Sequence, residues 1–157
     1  MDTYSREREL GRGAMGTVFL ATRKSDGVQF AIKCSEFDSI SAAEQKVSLR
    51  EVMLLASLKH LHIIEYHDAF LEQGGLHIVM EQALGGSLEE ELKAARDTGT
   101  PIVEARLLDL LTQIGSALHY LHRCRVLHRD IKPANILLDG AVRPVGLVCD
   151  CCRILAM

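Results

Sequence analysis

The chain has 157 residues, 48% of them apolar and 25% charged, with a formal charge of −3. These values fit one globular domain and exclude a disordered or fibrous chain, and without a basic excess there is no electrostatic ground for nucleic-acid binding. The first residues, MDTYSRERELGRG, lack the apolar core of a signal peptide, and no run of about 18 apolar residues exists. A reducing cytoplasm, no membrane partner and free thiols are therefore the expectation for the five cysteines.

Residues 4–34 alternate in polarity and carry glycines, which predicts three strands joined by short turns, with Ser25-Asp26-Gly27 turning the second into the third. Ser41 and Glu44 fit a capping box that opens a helix ending near Leu58. Strands follow at Ile63–Leu71 and Leu76–Glu81, with Gln73-Gly74-Gly75 as their hairpin turn. Gly85-Gly86 interrupts the chain, and Ser87 with Glu90 forms a second capping box. Glu89 to Glu91 suit the positive end of that helix. A third helix spans about Glu104–His122, with Leu107, Leu110, Leu111, Ile114, Leu118 and Leu121 on one face. A sheet-rich front and a helical back make an α+β chain.

Four motifs carry chemistry. In Gly11-Arg12-Gly13-Ala14-Met15-Gly16-Thr17-Val18 the glycines Gly11, Gly13 and Gly16 let backbone amides approach phosphate oxygens. A dinucleotide fingerprint would need a helix straight after them, whereas a strand follows here. Lys33, in Phe30-Ala31-Ile32-Lys33, places a positive charge on an apolar strand. Glu51 shares a helical face with Val47, Leu55 and Leu58, and a charge within an apolar stripe is costly unless paired. Lys33 is its natural partner. The most specific signal is His128-Arg129-Asp130-Ile131-Lys132-Pro133-Ala134-Asn135, which fits H-R-D-x-x-x-x-N at every fixed position.

Taken together, these motifs resemble the eukaryotic serine/threonine protein kinases, and the strings "HIIEY", "GGSL" and "LHRDIKPANILL" look most like the NIMA-related group. The resemblance implies a kinase-like fold with a complete β-rich N-terminal lobe and a partial helical C-terminal lobe. Residues 4–83 would form the first lobe and hinge, 84–139 the start of the second lobe, and 140–157 a divergent tail. It further implies ATP and Mg2+ as cofactors and protein substrates bearing serine or threonine. Asp130 would accept or orient the hydroxyl proton, Lys132 would steady the transferred phosphate, and Asn135 would hold magnesium. Met80 would be the gatekeeper, with Glu81 to Ala83 as the hinge. Val18, Ala31 and Leu137 would sandwich adenine. Cytoskeletal association is a further implication of the family. Helix ends before the catalytic loop of kinases commonly read "YLH", so His119, His122 and Cys124 are read as such an end and not as metal ligands.

After Asp139 the resemblance decays. Asp150 falls near the position of the aspartate of Asp-Phe-Gly, but Cys151 and Cys152 replace the phenylalanine and glycine. Two readings stand: Asp150 as a degenerate magnesium ligand, or residues 140–157 as an unrelated tail, which the lost aromatic volume favours. Cys149, Cys151 and Cys152 would need Cys124 or a histidine to complete a zinc site, so plain thiols are expected. With helices of the second lobe missing, the third helix would keep an exposed face and the isolated chain would be weakly active or inactive. The alternative function is a non-catalytic nucleotide-binding fragment that occupies a kinase's partners.

Overall fold

The computed structural model describes residues 3–13, 16–139, 144–147 and 153–154, with position 51 and the last two spans described by backbone alone. The chain divides into two compact units: residues Met1–Leu58 with Glu65–Gln82, and Lys59–Ile64 with Ala83–Met157.

The first unit is an antiparallel sheet with one helix. Its elements are β1 (Tyr4–Gly13), β2 (Gly16–Arg23), β3 (Gln29–Glu36), α1 (Ala42–Ser57), β4 (Tyr66–Glu72) and β5 (Gly75–Glu81). The sheet order is β1-β2-β3-β5-β4. Strand alternation sends Phe30 and Ile32 to one face and Ala31 and Lys33 to the other. On the first face Tyr4, Ala21, Phe30, Ile32 and Val79 form a buried cluster, with Cys34 and Phe70 packed against it. On the second, Phe37, Leu76 and Ile78 pack with Val52 of α1 and with Tyr66 and Met80. Complete burial of Ile32 and Val79 contributes about 1.5–3 kcal/mol each.

The turns follow from their residues. Asp26 accepts the Val28 N–H at 3.1 Å and pairs with Arg23, while Gly27 takes φ +74°. The β4–β5 hairpin is tighter than its sequence suggests. Gly75 already pairs with Glu72, so the turn is Gln73-Gly74 alone, with φ of 50° and 76°. Two positive φ values in a two-residue loop give the twist antiparallel strands need. β4 begins at Tyr66, not Ile63, because the buried Ile63 and Ile64 belong with Lys59–Ile64 to the core of the second unit.

α1 carries the expected capping box, with Ser41 and Glu44 satisfying each other's backbone N–H groups. Its apolar stripe is shorter than predicted. Leu54 and Leu58 are buried, whereas Val47 is 55% exposed, so burial is confined to the C-terminal half of the helix. Position 51 keeps the helical phase of positions 55 and 58.

The second unit holds α2 (Leu88–Thr98), α3 (Glu104–Arg123), β6 (Val126–Leu127), a 3-10 turn (Pro133–Asn135), β7 (Ile136–Leu138), β8 (Pro144–Leu147) and β9 (Arg153–Ile154). Ser87 and Glu90 cap α2, and Gly99 closes it in the left-handed conformation. Arg106 of α3 reaches Glu91 of α2 at 3.1 Å. Lys59–Ile64 is fastened to α3: Tyr120 Oη accepts the Lys59 N–H at 2.9 Å, and His60 Nε2 meets Ser116 Oγ at 3.2 Å. The α3 stripe is split. Leu110 and Leu121 are buried with Ala117, while Leu107 and Leu111 stay exposed. Among the described residues, no helix is long and apolar enough to cross a membrane.

The tail takes part in this unit. β8 pairs antiparallel with β7 and β9 with β6. These backbone ladders join the described tail residues, 144–147 and 153–154, to the strands flanking the H-R-D loop.

Candidate active site

The loop after β6 is built around a buried His128, 2% exposed, whose Nδ1 accepts the Asp130 N–H at 3.3 Å. Between them Arg129 adopts φ +67°, a left-handed conformation that costs a non-glycine residue of order 1 kcal/mol and turns the chain sharply. The turn presents the Asp130 carboxylate to two partners. Lys132 Nζ lies 2.8 Å from Oδ2, and Asn135 Nδ2 donates to the same oxygen at 2.8 Å. Asn135 Nδ2 also donates to the Asp130 carbonyl at 2.8 Å, and Asn135 N–H donates to the Lys132 carbonyl at 2.9 Å. The Lys132 ammonium first, and the Asn135 amide second, hold the Asp130 carboxyl below the usual carboxylate range.

This arrangement sorts the polar atoms by task. Asp130 Oδ2 and Asn135 Nδ2 are committed to holding the loop. Asp130 Oδ1 and Asn135 Oδ1 take no part in these contacts. The first is an ionised acceptor suited to orienting a hydroxyl. The second is a neutral hard oxygen of the kind magnesium takes. Residues present in the second unit thus fit a magnesium ion in donor chemistry.

Leu138 is buried behind this loop, and Gly85 explains how the chain passes there. A Cβ at Gly85 would lie 2.2 Å from the Asp139 carbonyl oxygen and 2.9 Å from Leu138 Cβ. The Gly85 N–H donates to the Leu138 carbonyl at 2.9 Å, and Ser87 bridges to Leu137. The sequence marks Gly85 as a chain break; its packing role carries no signal of its own there.

In the first unit, Lys33 is 8% exposed and sits on the sheet face shared with Val18, Ala31, Ile78 and Met80 through the pairs Val18–Lys33, Lys33–Ile78 and Ala31–Met80. The same face packs against α1, which carries Glu51. The side chain of Glu51 lies outside the described residues, as does Asp150 altogether. Gly13 and Gly16 close the β1–β2 hairpin as a register pair. Gly16 has φ +123°, and a Cβ there would fall 2.2 Å from the Cys34 carbonyl oxygen. Gly11 and Gly13 face open space. Glu81 donates its N–H to the Glu65 carbonyl at 2.9 Å and accepts the Glu65 N–H on Oε2 at 3.2 Å, which fixes the end of β5 before Ala83.

Sequence reasoning missed Tyr120 and His60, because nothing local distinguishes an anchoring tyrosine from an exposed one. His122 and Cys124 are exposed, and among the described residues no group of three or more His, Cys, Asp or Glu is placed to hold a metal.

A sheet with a glycine hairpin and a buried lysine, together with an H-R-D-x-x-x-x-N loop closed on its own aspartate, defines a protein kinase domain. The protein kinase domain family matches residues 4–150, so the chain belongs to that family and the match extends to Asp150. The proteins it is similar to include NIMA-related kinases. Serine/threonine-protein kinase Nek1 of Mus musculus is 38% identical over 145 residues, covering 91% of this chain and 12% of the relative. Serine/threonine-protein kinase Nek5 of Homo sapiens is 37% identical, covering 93% of the chain and 21% of the relative. Serine/threonine-protein kinase nekl-2 of Caenorhabditis elegans is 36% identical, covering 88% and 41%. The chain therefore spans well under half the length of these relatives.

Proposed function

We propose that this chain carries the phosphoryl-transfer chemistry of a serine/threonine protein kinase, moving the γ-phosphoryl group of ATP to Ser or Thr hydroxyls of protein substrates. The observation that carries the reading is the Asp130 carboxylate, ionised and held through Oδ2 by Lys132 and Asn135. Asp130 orients the substrate hydroxyl and takes up its proton through Oδ1. Lys132 is assigned to steady the phosphate in transit. Bound magnesium would neutralise charge on the phosphate oxygens, and Asn135 Oδ1 is its assigned ligand in this loop. Asp150 is assigned as a second ligand.

In the first unit, Lys33 is assigned to the nucleotide phosphates, with Glu51 as its orienting partner and Gly11, Gly13 and Gly16 as the hairpin whose amides approach them. Val18 and Ala31 are assigned to adenine, as is Leu137 of the second unit. The backbone at Glu81 and Ala83 is assigned to the polar edge of the ring, and Met80 to the gatekeeper position. Positioning and charge stabilisation supply nearly all of the catalysis in such transfers. We assign residues 4–83 to the N-terminal lobe and hinge and the residues after them to the start of the second lobe. We place the protein in the cytoplasm, where Cys34 and Cys124, both free thiols, stay reduced.

Calorimetry with ATP and magnesium tests the nucleotide half of the reading. Lys33→Ala is expected to weaken binding, and equal affinity of the two proteins would remove Lys33 from the site.

A further inference from the structure

The face of the sheet opposite Lys33 holds a nucleophile beside a base. Cys34 on β3 and His77 on β5 are register partners, and Cys34 Sγ lies 3.1 Å from His77 Nδ1. The other ring nitrogen settles which of them donates. His77 Nε2 lies 3.3 Å from the Glu72 carbonyl oxygen, which only accepts, so Nε2 carries the ring proton. Nδ1 then presents its lone pair, and the thiol donates to it. The competing acceptor, the Ile32 carbonyl, is farther from Sγ at 3.9 Å. The Phe70 ring lies parallel to His77 with centroids 5.0 Å apart, which locks the imidazole plane.

The surroundings keep this pair neutral at rest. Burial raises the Cys34 thiol, opposed by the charge of Arg6. Burial lowers His77, and Arg6 lowers it further. Among the described residues, the groups bearing on the pair include Arg6 from β1, Phe70 and the Glu72 carbonyl from β4, and Thr17, opposite Cys34 on β2. His77 is a free base at neutral pH, and Cys34 is a protonated thiol hydrogen-bonded to it. Cys34 is only partly buried, so a small molecule reaches the sulfur.

We propose that Cys34 and His77 form a base-assisted thiol site that small hydroperoxides modify, yielding a sulfenic acid at Cys34. The sulfur attacks one oxygen of the hydroperoxide, forming the S–O bond as the O–O bond breaks. The thiol proton passes to His77 Nδ1 and from there to the departing oxygen, which leaves as water when the oxidant is hydrogen peroxide. Sulfur is oxidised by two electrons and the peroxide is reduced by two. The reaction uses none of the residues assigned to phosphoryl transfer, so it stands or falls independently of that assignment.

Hydrogen peroxide with dimedone as the sulfenic-acid trap, followed by peptide mass mapping, tests the site. Cys124, an exposed thiol, is the internal reference. At neutral pH, His77→Gln keeps a donor for the Glu72 carbonyl but removes the base. It is expected to slow trapping at Cys34 about tenfold or more while leaving Cys124 unchanged. The wild-type protein alone supplies a second test should the variant fold poorly. A solitary thiol below its pKa gains thiolate about tenfold per pH unit, so trapping of a small free-thiol peptide added as reference rises that steeply from neutral to mildly alkaline pH. Trapping at Cys34, assisted by an already neutral base, is expected to stay nearly flat. A pH profile at Cys34 parallel to that of the reference peptide, an unchanged Cys34 rate in a folded His77→Gln protein, or labelling at Cys124 only would each overturn the proposal.

Discussion

Gly16 is where the glycine hairpin and the stability of the sheet meet, and substitution there separates structural from merely permissive glycines. An alanine at position 16 would have to adopt φ +123°, which costs a non-glycine residue of order 1–3 kcal/mol. Its Cβ would also stand 2.2 Å from the Cys34 carbonyl oxygen, a backbone atom that yields only if β2 and β3 separate locally. Losing one ladder hydrogen bond there adds about 0.5–1.5 kcal/mol, for a total of about 1.5–4.5 kcal/mol. That is a large share of the roughly 5–15 kcal/mol that holds an ordinary domain together. Gly11→Ala is the control: its Cβ meets nothing within 4 Å and its φ is not positive, so a change within about 0.5 kcal/mol is expected. Urea denaturation of the two variants, read by circular dichroism, decides the matter. Equal midpoints, or a Gly16→Ala midpoint matching wild type, would refute the argument that close approach to Cys34 selects the glycine.

Other expectations follow from the same geometry. Lys33→Ala should weaken ATP binding about tenfold to a hundredfold, the worth of one charge-assisted contact, as measured by titration calorimetry. Ser41→Ala and Ser87→Ala each remove half of a capping box and should cost about 0.5–2 kcal/mol in denaturant unfolding. Lys132→Ala should move the Asp130 carboxyl upward in a carbon-detected NMR titration, because the Lys132 contact is the largest influence holding it down; an unmoved carboxyl would contradict that assignment. The depressed Asp130 stabilises the folded loop fully above the ordinary carboxylate range. That contribution is lost as pH falls through its folded value, so loop amides should lose protection from hydrogen exchange in acid but not between neutral and mildly alkaline pH.

The motifs and elements were readable because they rest on local chemistry. Both capping boxes, the Asp26-Gly27 turn and the H-R-D loop are written in neighbouring residues, and the structure forms them where the spacing puts them. Element boundaries that depend on tertiary partners were not readable. Ile63 and Ile64 look like the start of a strand because they are apolar and β-branched, yet they serve another core. Leu107 and Leu111 match the periodicity of Leu110 and Leu121, but only the latter two meet packing partners. The short pairings of 144–147 with β7 and 153–154 with β6 had no linear signal either, because strand pairing is a property of backbone and of distant partners. The Cys34–His77 pair had no linear signal, since the two lie 43 residues apart and meet only through the β3–β5 register.

The central claim is that Asp130 directs phosphoryl transfer to hydroxyls. Its most direct test is phosphate incorporation from magnesium-ATP into a generic protein substrate, comparing wild type with Asp130→Asn at matched thermal stability. Asparagine keeps the shape of the loop but loses the charge and the proton acceptor. The account predicts incorporation on serine and threonine that drops about 10²-fold or more in the variant with ATP affinity retained. Equal incorporation by both proteins above background would contradict it.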